Sequence, residues 1–144
     1  MVDYRLLAPG AILALWTLIM LLWVAATRFP AIAKTGMDVK TAPPGGRGQD
    51  LEAVLPPNVN WKSHNYTHLL EQPTLFYAVI TFLTLAGGVT QVTLGLAWAY
   101  TAIRIIHSLY QATINVVMVR FGIFVLSTIC LLALTVMAVI ATLG

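Results

Sequence analysis

Long uncharged segments constrain the fold of this chain more than any other feature of its sequence. Leu6–Ala26 contains 21 residues without a charge, and Phe121–Leu143 contains 23. Each exceeds the roughly 18–20 apolar residues that cross a hydrocarbon core of about 30 Å. The first segment also exceeds the roughly 7–15 apolar residues of a signal peptide, so we expect it to be a mature helix. Both segments predict transmembrane helices.

A third uncharged segment, Pro73–Ile103, has 31 residues. As one straight helix it would be about 46 Å long at roughly 1.5 Å per residue, which is longer than the bilayer is thick. Gly87 and Gly88 lie near its middle, and a glycine pair is typical of a turn. The segment therefore predicts a helical hairpin.

The expected fold is all-α: a polytopic membrane protein whose single domain, residues 1–144, is a four-transmembrane-helix bundle. Its spans are expected at about 5–27, 69–87, 89–109 and 117–143.

Composition excludes several soluble classes of protein. The chain is 59% hydrophobic and only 9% charged, whereas an ordinary soluble domain is about 25% charged. So few charges cannot cover a soluble surface, and this excludes a soluble nucleic-acid-binding protein despite the net charge of +3. The single cysteine, Cys130, excludes a disulfide scaffold, and its apolar setting disfavours a nucleophilic role.

The positive charges predict an orientation in the membrane. The long polar first loop, at about 28–66, carries most of them, whereas the opposite side has only Arg5. The positive charges of the loop are Arg28, Lys34, Lys40, Arg47 and Lys62. The positive-inside rule then places this loop in the cytoplasm and both termini on the opposite side.

Three charged residues, Glu71, Arg104 and Arg120, lie within the last three expected spans. The helix lengths place all three at a similar depth near the cytoplasmic end. An arginine at bilayer depth costs about 2.5–3.5 kcal/mol on insertion scales, and such residues usually face the bundle interior. Two alternatives remain open: each arginine extends to the lipid headgroups, or one of them pairs with Glu71.

Polar residues also recur at helical spacing on two helices. One face of the third helix carries Tyr100, Arg104, His107 and Gln111. One face of the entry to the second helix carries His64, His68 and Glu71. Two such stripes at one depth predict a wet or ligand-filled cavity at the cytoplasmic end. For any single histidine, a core ring bonded to a backbone carbonyl remains the alternative.

A metal site at the second stripe is disfavoured. The H-E-x-x-H order of the zincins is absent, and no cysteine lies nearby. Two neighbouring arginines would also repel a cation. We therefore expect no metal.

Three segments carry a recognisable family pattern: HNYTHLLEQPTLFY at 64–77, AYTAIRIIHSLYQ at 99–111 and VRFGIFVLS at 119–127. The most specific element is R-x-x-H-S at Arg104–Ser108, with Arg120 following 16 residues after Arg104. The chain resembles a bacterial-type member of the MAPEG family, the membrane-associated proteins in eicosanoid and glutathione metabolism. The spacing is similar to that of microsomal glutathione transferase and prostaglandin E synthase relatives, and the resemblance covers nearly the whole chain.

A second motif of those relatives, an Arg followed by Asn-x-x-Glu-x-x-Pro, is altered here. Glu71 is retained, but His68 stands at the Asn position and His64 at the Arg position. Pro73 falls one residue early, and a family tyrosine is replaced by Gln111, with Tyr110 beside it.

The resemblance implies a glutathione-dependent transferase or peroxidase that acts on lipophilic electrophiles or hydroperoxides. It implies a homotrimer with glutathione sites between subunits and substrates that arrive from the bilayer. Arg120 would be catalytic, stabilising the glutathione thiolate. The glutathione-binding residues would be His64, His68, Glu71, Arg104, His107, Tyr110 and Gln111.

The alternative function is a non-catalytic, lipid-binding or partner-binding protein of the same fold. The two histidines in place of Arg and Asn keep this alternative open. A small transporter is disfavoured, because polar residues at only one end provide no path across the membrane.

Overall fold

The computed structural model describes residues 2–37, 41 and 44–144. Lys40, one of the positive charges of the expected loop, lies outside the described residues. Within them the chain forms four α-helices and no β-strand, which confirms the all-α prediction. The helices are α1 (Leu7–Lys34), α2 (Pro57–Leu85), α3 (Gln91–Thr113) and α4 (Val117–Leu143). Short 3₁₀ turns precede α1 and α2, at Tyr4–Leu6 and Gly48–Leu51.

Helices α2 and α3 form the centre of the bundle. Each packs against all three other helices, whereas the described residues of α1 and α4 do not contact each other. The rings of Phe76 on α2 and Tyr100 on α3 stack with their centroids 4.3 Å apart, and both side chains are fully buried. The apolar core therefore lies along the α2–α3 contact, with α1 and α4 on its flanks.

The outward surface of the bundle is apolar. Large hydrophobic side chains are exposed on every helix, among them Leu22, Phe82, Trp98 and Met118. By length and composition, three helical segments of the described chain are able to cross a membrane: Tyr4–Lys34, Gln91–Thr113 and Val117–Leu143. An apolar surface of this extent is stable in hydrocarbon rather than in water, so the bundle is a membrane fold.

Helices α1 and α2 extend further than the expected membrane spans. Helix α1 continues to Lys34, and the chain turns at Gly36, whose φ is +74°. Helix α2 begins at Pro57, a favourable first helical residue because its ring fixes φ. Hydropathy detects only the apolar part of a helix, so the polar residues 57–68 gave no signal for it. The connection between the helices is therefore 35–56 rather than about 28–66, and His64 lies on α2.

The glycine pair forms the turn of the predicted α2–α3 hairpin. Gly87 has a φ of +71°, a left-handed conformation that favours glycine. The N–H of Gly88 donates to the carbonyl oxygen of Leu83 at 2.8 Å. Thr90 then caps α3, because its hydroxyl oxygen accepts a hydrogen bond from the N–H of Thr93 at 3.1 Å. The hairpin prediction is confirmed.

Gly10 permits a close approach of α1 to α2. A Cβ atom at this position would lie 2.5 Å from Cδ1 of Ile80, which is itself buried. We expect Gly10→Val to destabilise the protein by about 1–3 kcal/mol, because extra atoms in a packed interior force side chains or backbone to shift. Thermal unfolding in detergent measures the change. Gly95→Val is the matched control, since Gly95 is also helical but has open space around its Cβ position. Equal melting temperatures for the two variants would contradict this account of the α1–α2 contact.

Candidate functional site

Two pockets lie side by side at one end of the bundle, which we name the loop end. This end comprises the carboxyl end of α1, the 3₁₀ turn at Gly48–Leu51, the first turns of α2 and the turn between α3 and α4. His68 and Gln111 line both pockets and so form the boundary between them. Residues of the polar stripes of α2 and α3 therefore meet at these pockets.

The first pocket is polar and has a volume of about 360 Å³. It is lined by Arg28, Gly48, Gln49, Glu52, Ser63, His64, Thr67, His68, Glu71 and Gln111. Four of the predicted site residues are among them: His64, His68, Glu71 and Gln111. Because charged groups of both signs line it, this pocket suits a polar ligand that carries both charges.

Hydrogen bonds fasten the connecting segment to the wall of the first pocket. Arg28 donates through Nη1 to Oγ of Ser63 at 2.8 Å and through Nη2 to the carbonyl oxygen of Gly48. Nε2 of His64 lies 2.9 Å from Oε1 of Glu52. The 3₁₀ turn is thereby attached both to the end of α1 and to α2.

The second pocket is smaller, about 200 Å³, and combines a cation with apolar and aromatic side chains. It is lined by His68, His107, Gln111, Val117, Arg120, Phe121 and Phe124. Phe121 and Val117 are more than half exposed on the outward, apolar surface of the bundle. This pocket therefore adjoins the apolar outer surface of the bundle, whereas the first pocket adjoins the polar connection.

Arg104 is fully buried between these helices, although it lines neither pocket. Its Nη2 donates to the carbonyl oxygen of His68 at 3.0 Å and lies 3.3 Å from Nδ1 of the same residue. Its guanidinium carbon lies 5.7 Å from the ring centroid of Phe124. Nε and Nη1 have no hydrogen-bond partner, and no carboxylate among the described residues pairs with them. The proposed alternative of an ion pair with Glu71 is therefore not observed for Arg104.

Two further side chains of the α3 stripe are buried with unpaired polar atoms. His107 is 1% exposed and has a free Nδ1, and Gln111 is 5% exposed and has a free Oε1. Buried polar groups are normally hydrogen-bonded, and leaving one unpaired costs about 1–3 kcal/mol. His107 lines the second pocket and Gln111 lines both, so the site contains polar side chains whose hydrogen-bonding capacity is not filled within the described chain.

Arg120 is held at the start of α4. Its Nη1 donates to Oδ1 of Asn115 at 2.7 Å, and no described carboxylate pairs with it. Glu71 is exposed at the first pocket, and its carboxylate has no hydrogen bond or ion pair among the described residues. The site therefore contains a cation in one pocket and a carboxylate in the other, each without a charged partner.

Of the predicted site residues, Tyr110 alone is separate from this arrangement. Its side chain lines neither pocket. Its carbonyl oxygen instead accepts hydrogen bonds from the N–H groups of Ile114 and Asn115, both at 2.9 Å, and so closes the end of α3. The other seven predicted residues lie at the two pockets or, in the case of Arg104, directly behind His68.

Sequence reasoning missed several residues that build the site. Asn65 is buried and donates to Oγ of Ser108 at 2.9 Å, and Trp16 donates to the same oxygen at 3.0 Å. This contact joins α1, α2 and α3. The only available signal was the position of Ser108 in the R-x-x-H-S motif. Arg28 was counted as a loop charge, and nothing in the sequence indicated its contact with Ser63.

The described residues contain no group of three His, Cys, Asp or Glu side chains arranged to hold a metal ion. His64 and His68 are instead engaged with Glu52 and Arg104 respectively.

Comparison with protein families and known proteins gives one match. The MAPEG family model matches residues 6–140, which is nearly the whole of the 144-residue chain and includes both polar stripes. Neither the curated proteins nor the solved structures gave a significant match. With four helices, an apolar outer surface and a polar site at one end, the chain belongs to the MAPEG family of integral membrane proteins.

Proposed function

We propose that the protein is a membrane-bound, glutathione-dependent transferase or peroxidase that acts on lipophilic electrophiles or hydroperoxides. Family membership supports a membrane function in glutathione or eicosanoid-type metabolism. One observation carries the specific proposal: Arg120, whose guanidinium has no anionic partner among the described residues, lines a pocket that adjoins the apolar surface. A cation in this position stabilises a bound anion beside a surface from which lipid-soluble molecules are able to reach it.

The first pocket is the proposed site for the body of glutathione. Glutathione is a flexible peptide with two carboxylates and one ammonium group. The pocket volume of about 360 Å³ is within the usual range for small-ligand sites. The unpaired carboxylate of Glu71 suits the ammonium group, and the amide of Gln111 suits the peptide groups. Arg104 contacts His68 without lining the pocket itself, and its positive charge attracts the two carboxylates of glutathione.

The second pocket is the proposed site of the reaction. His68 and Gln111 border both pockets, so the cysteine of a peptide in the first pocket is able to extend toward Arg120. A nearby positive charge stabilises the thiolate and lowers the pKa of the thiol. The thiolate is the nucleophilic form of a cysteine.

Two reactions fit this arrangement. With an electrophile, the sulfur forms a bond to carbon while the bond from that carbon to its leaving group breaks. With a hydroperoxide, two glutathione molecules are oxidised to the disulfide while the hydroperoxide is reduced to an alcohol and water. Phe121, Phe124 and Val117 supply apolar contacts for the lipophilic substrate. The protein contributes orientation and anion stabilisation in both cases.

The proposed assembly is a homotrimer whose first loop faces the cytoplasm. The outward faces of α1 and α4 are apolar and do not contact each other in the described chain, so they are available to lipid and to other subunits. Small residues permit close helix approach in such a membrane assembly.

Addition of glutathione to the purified protein tests the proposal. We expect an increase in ultraviolet thiolate absorbance that saturates with glutathione and is absent with S-methylglutathione, which has the same peptide groups but no ionisable thiol. The S-methyl compound should still compete for the site. Saturable binding of glutathione without any thiolate signal would contradict the proposed activation.

The alternative is a non-catalytic protein that binds lipid or a partner. The apolar lining of the second pocket favours this alternative more than any other feature, because it also suits a lipid chain. The same titration separates the two functions, since a lipid-binding protein gives no thiolate absorbance.

A further inference from the structure

The turn between α3 and α4 contains an unusual backbone conformation directly beside Arg120. Asn115 has a φ of +58° and is the one non-glycine residue in the described part of the chain with a positive φ. This left-handed region is unfavourable for most residues, but asparagine tolerates it better than others. The N–H of Asn115 also donates to the carbonyl oxygen of Tyr110 at 2.9 Å. The position of Asn115 is therefore fixed by its own backbone.

The side chain of Asn115 is directed to the cation of the second pocket. Its Oδ1 accepts a hydrogen bond from Nη1 of Arg120 at 2.7 Å, a short distance for an N–H···O contact. Within the described chain this is the only side-chain hydrogen bond that Arg120 makes. An arginine side chain has several rotatable bonds, so a single fixed acceptor restricts where the guanidinium lies.

The chemical type of the acceptor is as informative as its position. An amide oxygen is neutral, so it holds the guanidinium without cancelling its positive charge. An aspartate or glutamate at the same distance would form an ion pair and reduce the potential in the pocket. The contact therefore combines fixed orientation with an undiminished charge, which is what stabilisation of an anion requires.

We propose that Asn115 is a positioning residue that holds the guanidinium of Arg120 against the second pocket while leaving its charge available. This inference rests on the proposed function of Arg120. Nothing in the sequence pattern indicated it, because the site motifs do not include Asn115.

Asn115→Gly tests the proposal on the full chain in detergent. Glycine accepts the left-handed conformation, so the turn is retained while the acceptor is removed. We expect the apparent pKa of the bound glutathione thiol to rise by about one unit and kcat for glutathione conjugation of chlorodinitrobenzene to fall about tenfold, since the contact is a hydrogen bond to a charged group. KM for glutathione should change less than about threefold, because the first pocket is intact.

Asn115→Asp provides the complementary variant. Aspartate retains an acceptor oxygen and also tolerates the left-handed conformation, but it adds a negative charge. We expect it to raise the thiol pKa as Asn115→Gly does, because it neutralises Arg120. A thiol pKa equal to that of the wild type in both variants would show that Asn115 supports the turn alone and would overturn the inference.

Arg120→Ala, alone and combined with Asn115→Gly, separates this inference from the proposed function. If Asn115 acts through Arg120, Asn115→Gly has no further effect on the thiol pKa in the Arg120→Ala background. An equal effect of Asn115→Gly in both backgrounds would overturn the role of Asn115. If Arg120→Ala itself leaves the thiol pKa unchanged, the proposed function fails first, whatever Asn115→Gly does.

Discussion

Arg120→Ala is expected to abolish formation of the glutathione thiolate and to lower kcat/KM for conjugation by about 10²–10³, the usual effect of removing one group that stabilises a developing anion. Arg120 is the only cationic side chain that lines the second pocket within the described residues. Glutathione binding should survive in part, because the groups of the first pocket are unchanged.

Ultraviolet thiolate absorbance and steady-state kinetics measure this effect on the purified protein. Arg120→Lys retains a positive charge and should recover part of the thiolate signal, although it lacks the planar geometry of arginine. Arg5→Ala is the matched control, since Arg5 is exposed, pairs with Asp3 at 2.6 Å and lies near the start of α1, far in sequence from the site. Conjugation by Arg120→Ala at the wild-type rate would refute the proposed role.

Arg104→Met is expected to weaken glutathione binding without lowering the stability of the ligand-free protein. The guanidinium of Arg104 is fully buried, has two nitrogens without partners and faces no described carboxylate. Such a charge costs stability in the ligand-free protein, and an apolar side chain of similar length removes this cost. We therefore expect the Tm without ligand to be equal to or higher than that of the wild type.

The same substitution should weaken glutathione binding by about tenfold or more, because interactions with a charged group contribute about 1.5–3 kcal/mol. The melting temperature with and without glutathione reports both effects, since a ligand that binds the folded state raises Tm according to its Kd. Arg104→Lys is the control and should show an intermediate affinity. A strongly destabilised Arg104→Met with wild-type affinity would show that Arg104 has a structural role instead.

The fold was predictable from the sequence because the bilayer imposes a simple length requirement on uncharged segments. The hairpin turn at Gly87 was predictable for a similar reason, since one helix of that length would not fit the bilayer. The start of α2 at Pro57 was not predictable from hydropathy, because the first three turns of this helix are polar. Hydropathy identifies only helical segments that are apolar enough to lie in lipid. Proline at the first position was a local signal that hydropathy does not use.

The candidate site was predictable only in part. Helical spacing placed His107 and Gln111 on one face of α3, and both are buried at the pockets. Spacing within one helix does not specify partners on another, since these depend on how the helices rotate against each other. The contact of Arg104 with His68, at a separation of 36 residues, is of this kind. So is the contact of Arg28 with Ser63, at a separation of 35 residues.

The boundary that His68 and Gln111 form between the two pockets affects how the proposed reactants meet. In the proposed reaction, glutathione approaches through the aqueous phase, where its concentration is expressed per unit volume. The lipophilic substrate diffuses in the plane of the membrane, where its concentration is expressed per unit area. Neither has to cross into the other's solvent, since only the sulfur passes the boundary. In the proposed reaction, the cost of transferring a charged tripeptide into hydrocarbon is therefore absent.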